Sequence, residues 1–131
     1  MRYLYFILMG VLLVGCNQVS IHENVNEDLA NDAMQVMDII AEAIESDTVL
    51  ENLPEEDIYK LYGFKDKYDD NDMLFEVFSD ADEDIITFVL GSTGKYANSK
   101  LIQSDTDDLM ENREAVIAMI ESGKNYLERN D

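Results

Sequence analysis

Apolar residues recur at intervals of three and four along one stretch of the chain: Leu29, Ala33, Val36, Met37, Ile40 and Ile44. That period predicts an amphipathic helix over residues 26–46. Asn24 ahead of it and Glu27 in its first turn have capping-box spacing, and Glu27, Asp28, Asp32, Asp38, Glu42 and Glu45 occupy much of its other surface. A second helix is predicted over residues 52–63. Pro54 suits a first turn, where its missing N–H is not needed, and Glu55, Glu56 and Asp57 favour the positive end of the helix dipole. Gly63 is placed as a stop, with Ile58, Leu61 and Tyr62 toward a core.

The pattern then changes. Residues 73–78 (MLFEVF) and 85–90 (IITFVL) are short runs rich in β-branched and aromatic side chains, separated by the acidic residues 79–84. They predict two strands of a hairpin, with Gly91-Ser92-Thr93-Gly94 ending the second and Leu101-Ile102 forming a short third. A last helix starts near Ser104 or Asp105, with Asp107 and Asp108 in its first turn. Leu109, Val116, Ile117, Ile120 and Leu127 mark one face, and Gly123 weakens it near its end. The order is α-α-β-β-α. The predicted fold class is α+β: a small single domain, its helices packed on a short antiparallel sheet.

The start of the chain follows neither period. After Met1-Arg2, residues 3–14 (YLYFILMGVLLV) carry no charge. A bilayer-spanning helix needs about 20 apolar residues, so this run is too short for one. A basic start, a short apolar stretch and a small residue before a break are the parts of a secretory signal. Leu13-Val14-Gly15-Cys16 resembles the lipobox of bacterial lipoproteins. The resemblance implies cleavage between Gly15 and Cys16, a diacylglycerol on the Cys16 thiol and an N-acyl chain such as palmitate. It also implies residence on the extracytoplasmic face of the cell membrane, because two acyl chains anchor stably where one does not. The expected organisation is a signal peptide over 1–15, lipidated Cys16 with a polar tether over 16–25, and an acidic domain over 26–131. Nine extended residues of such a tether would reach about 30 Å, and His22, the only histidine, reads as a solvated residue within it. The order of elements, with Leu61-Tyr62-Gly63, is also similar to small extracytoplasmic lipoproteins of unknown function in Gram-positive bacteria.

Charge narrows the partners. The chain has 29 acidic and 9 basic residues, a net charge of −20. Phosphate binding requires local positive charge, which excludes nucleic acid as a direct partner, and an anionic lipid surface is disfavoured in the same way. Cys16 is the only cysteine, so the mature domain folds without disulfides. Neither Cys-His nor Ser-His pairing is available within it.

The acidic segments offer the remaining chemistry. Asp80, Asp82 and Asp84, with Asp69-Asp70-Asn71-Asp72 upstream, could supply oxygen ligands to calcium. Counted from Asp80, however, an EF-hand would need Gly and Glu where Ile85 and Gly91 stand. The competing reading is a solvated turn that blocks edge-to-edge pairing of the sheet. Gly91-Ser92-Thr93-Gly94-Lys95 lacks the first Gly and the final Ser or Thr of a phosphate-binding loop. A pair of carboxylates could serve a glycan hydrolase, with no particular pair marked. In residues 59–70 (YKLYGFKDKYDD), Tyr59, Tyr62, Phe64 and Tyr68 stand among Lys60, Lys65 and Lys67. Such a patch suits a protein interface, unless its rings pack inward. Together these features predict a lipid-anchored, non-catalytic binding or accessory module meeting an envelope protein. A calcium- or cation-responsive envelope domain is the alternative, and a carboxylate-based hydrolase the third.

Overall fold

Helix α1, Glu27–Glu45, organises the molecule. It is capped by Asn26, whose side chain accepts the Leu29 N–H at 3.0 Å, two residues later than the expected Asn24 cap. Leu29, Ala30, Ala33, Val36, Met37, Ile39, Ile40 and Ala43 are all buried. At 100° per residue they cover about half its circumference, wider than the single stripe of a surface helix. The other helices pack around α1. The computed structural model describes residues 19–69 and 78–130. The predicted signal, Cys16, Asn17, Gln18 and residues 70–77, which hold most of the first predicted strand, lie outside the described residues.

After a single 3-10 turn, Leu50–Asn52, helix α2 runs Glu55–Tyr68 from its Pro54 cap. It continues through Gly63, where a Cβ would meet only open space, so nothing there requires a stop. Helix α3 spans Asp80–Asn98, α4 spans Gln103–Ser122, and a short α5, Tyr126–Asn130, closes the chain. Helix α1 packs against α2, α3 and α4, and α3 and α4 pack along each other.

The α+β expectation is therefore overturned: the described residues form a helical bundle without a strand. Residues 85–90 lie inside α3 rather than in a hairpin, and Leu101 is an irregular residue with φ 56° between α3 and α4. The reason is visible in α3 itself. Ala81, Ile85, Val89, Ser92 and Tyr96 are buried at helical spacing, while Ile86, Phe88 and Leu90 are partly buried against the same core. A helix covered on more than one side loses its polar alternation, and a short apolar run then looks like a strand. The predicted end of that strand, Gly91–Gly94 in sequence, continues as helix because neighbouring helices, not local propensity, decide its state.

The acidic residues 79–84 are the start of α3. Ser79 caps it by accepting the Asp82 N–H at 3.1 Å, and Asp82 returns the contact by accepting the Ser79 N–H at 3.0 Å. The other Asp82 oxygen accepts the N–H of Asn26 at 2.9 Å, at the head of α1. This carboxylate is 2% exposed, and its two oxygens tie the beginnings of two helices together. At the opposite end, Tyr96 is fully buried and donates its hydroxyl to the Thr48 carbonyl at 2.6 Å, fastening the loop after α1 to α3. Between α3 and α4, Asn112 donates to the buried Ser92 hydroxyl at 3.2 Å, and Lys95 pairs with Asp108, a bond that raises the lysine above its usual range.

Two outcomes follow from these ties. Asp82→Asn replaces an acceptor by a donor opposite a buried N–H and should lower unfolding stability by roughly 2–3 kcal/mol, read as a reduced urea midpoint at unchanged m-value. Tyr96 is raised above the usual tyrosine range by burial. Its neutral form is then favoured by folding: the stabilisation is complete below the unfolded value of about 10 and is lost as pH rises through the folded value. Tyr96→Phe should be less stable near neutrality and should show a shallower alkaline loss in thermal melts between pH 9 and 11.

Candidate functional site

The segment expected to be a polar tether is docked from Val19 onward. Val19 and Ile21 pack on the core, and Val25 is 6% exposed. The His22 N–H donates to the Ile120 carbonyl near the end of α4 at 2.9 Å, and the His22 carbonyl accepts from Val25 N–H at 3.0 Å. The His22 Nδ1 accepts the Asn24 N–H at 3.0 Å, which makes Nδ1 the unprotonated nitrogen of that ring. Gly123 ends α4 with φ 67°, a left-handed conformation suited to glycine. A Cβ there would collide with the His22 imidazole, so the ring rests directly on the glycine backbone. Residues 19–25 thus form a strap laid across α1 and α4. The alternation Val19, Ile21 in an otherwise polar stretch was the available sign of it.

A cleft of about 410 Å³ opens beside the strap, within the size range of small-ligand sites. Val19 and Ile21 form one wall, Ala30 and Met34 of α1 another, and Ile120 of α4 the third. Asn31, Asp38 and Arg113 supply the polar groups. The Arg113 guanidinium donates to one Asp38 oxygen from Nε at 3.3 Å and from Nη2 at 2.9 Å. A cationic group beside an anionic one at the edge of apolar walls suits an apolar body with a polar tip. Sequence reasoning missed this site. Its one signal was Arg113, the only arginine between Arg2 and Arg129 in a strongly acidic chain.

The residues singled out from sequence fall elsewhere. Asp80, Asp82 and Asp84 occupy the first turns of α3. Asp82 is engaged with Asn26 and Ser79, and Asp84 accepts the Tyr126 N–H at 2.9 Å, holding α5. Asp80 is exposed, and successive helical positions turn Asp82 away from the other two. Among the described residues, no group of three or more His, Cys, Asp or Glu stands where it could hold a metal ion.

The tyrosine patch divides in two. Phe64 and Tyr68 are buried, with ring centroids 4.5 Å apart. The Tyr68 hydroxyl donates to Asp32 at 2.6 Å, beside the Lys67–Asp32 pair at 2.8 Å. Tyr59 and Tyr62 are 70% and 47% exposed on the outer face of α2. Gly15 and Cys16 lie outside the described residues.

Gly123→Ala should lower stability by about 1–2 kcal/mol through left-handed strain alone, and should also displace the His22 ring. The expected result is a lower Tm together with loss of hydrogen-exchange protection at the His22 amide, while amides in the middle of α1 stay protected. No protein-family model, curated protein or solved structure matches this chain, so the site stands on its own geometry.

Proposed function

We propose that this chain is a lipid-anchored bacterial lipoprotein, whose helical domain acts on the extracytoplasmic face of the membrane as a non-catalytic binding or accessory module. The observation that carries the reading is Leu13-Val14-Gly15-Cys16 at the end of an uncharged apolar run. The cleft between strap, α1 and α4 supports a binding role, since it offers apolar walls and one ion pair. Among the described residues, no helix is long and apolar enough to cross a membrane, and attachment in this reading comes from the acyl chains on Cys16. The partner is an envelope protein, and the acidic surface selects against nucleic acid.

Metabolic labelling with an alkyne analogue of palmitate, followed by membrane fractionation, tests the anchor. The native chain should take up label and partition with membranes. Cys16→Ala should take up none and should either leave the membrane or accumulate at the larger, uncleaved size. A Cys16→Ala chain of normal mature size that stays with the membrane would overturn the proposal.

A further inference from the structure

We propose that the docked strap orients the domain at the bilayer, holding the α1–α4 face toward the lipid headgroups at a stand-off of about 10 Å. This rests on the lipidation reading and adds an orientation to it. Only Asn17 and Gln18 separate Cys16 from Val19, and three extended residues reach about 10 Å. Val19 is not free to move from there. It packs on the core and lines the cleft beside Met34, Asp38 and Arg113, and the strap is fixed again where His22 meets Ile120 and Gly123. The attachment point therefore lies on one side of the bundle, part-way along α1 and α4, rather than at the end of a ten-residue tether.

Helix α2 lies on the other side. Ala30, Met34 and Asp38 of α1 face the cleft, whereas Asp32, Gln35 and Val36 face α2. At 100° per residue, the cleft-lining positions 30, 31, 34 and 38 and the α2-facing positions 32, 35 and 36 centre about 140° apart, so the strap and α2 lie on different sides of α1. With α1 and α4 both on the lipid-facing side and an interaxial distance of 8–10 Å, the axis of α2 lies up to about 8–10 Å, one helix layer, farther from the lipid than α4. The headgroup surface that fits is zwitterionic. Asp107, Glu111, Glu114 and Glu121 are exposed along the outer ridge of α4, and at a stand-off near the Debye length of about 8–10 Å they repel an anionic surface.

The test uses the full-length, lipidated protein in phosphatidylcholine vesicles carrying a headgroup-attached quencher. With Cys16 acylated, an introduced cysteine is the free thiol for a fluorophore. Met110→Cys labels α4 one turn before Arg113, at a position 37% exposed, and Tyr59→Cys labels the outer face of α2. Quenching should be several-fold stronger at position 110 than at position 59. Adding Gly123→Ala, in a chain shown by circular dichroism to remain helical, should release the strap and bring the two values together. Equal quenching at the two positions, with the acyl mass present on Cys16, would overturn the orientation and leave the lipidation reading standing. Absence of that mass would overturn both.

Discussion

The bundle depends on one buried carboxylate. Asp82 is 2% exposed, yet it is hydrogen-bonded through both oxygens to backbone N–H groups, one at Ser79 and one at Asn26. Both donors belong to helix starts, which leave N–H groups without intrahelical partners and carry the positive end of the dipole. Removing a charge from water is tolerable when such groups replace the water. The consequence is architectural. The head of α1 is fixed to the head of α3, so these two helices leave the same end of the molecule and pack side by side. Asp84, two residues on, holds α5 through the Tyr126 N–H, and the strap enters α1 at this same corner. Tyr96 and the Thr48 carbonyl fasten the far end.

From that corner the rest of the site follows. Because Asn26 is held by Asp82, the residues before it must turn back along α1 and α4, where Val25, Ile21 and Val19 find apolar neighbours. Gly123 completes the path, since any side chain there would occupy the space of the His22 ring. The strap closes one side of the α1–α4 groove and leaves the cleft with its Asp38–Arg113 pair open. A segment that reads as a polar tether is thereby part of the domain and one wall of its cleft.

Legibility in the sequence varied with how each helix is buried. Helix α1 was readable because its polar residues still interrupt the apolar ones at a clear period, and α4 because Leu109, Val116 and Ile120 keep the same spacing. Helix α3 was not. Its five apolar residues between Ile85 and Leu90 are buried or half-buried from several directions, with only Thr87 exposed among them, so the period is obscured where burial is greatest. The signal that competes with the strand reading was present in Ser79 and Asp82, three apart in the order of a capping box. It was hidden because so many carboxylates in residues 79–84 suggested a solvated turn. Inward packing was one of the two readings open for the aromatic patch and holds for Phe64 and Tyr68, but Tyr62, expected toward the core, is 47% exposed, and only tertiary structure shows that Lys67 turns toward Asp32. The strap and the Asp38–Arg113 pair, 75 residues apart in the chain, depend on long-range packing that no local pattern records.

The central claim concerns Asp82, and native-state amide hydrogen exchange of the wild-type chain measures its two bonds directly. A capping N–H exposed to solvent exchanges at the rate of a loop, whereas one buried against a carboxylate opens only with the structure around it. The account predicts that the Asn26 and Ser79 amides exchange as slowly as those in the middle of α1, and that the two are protected to a similar degree. Fast, loop-like exchange at Asn26 beside a protected α1 interior would contradict it.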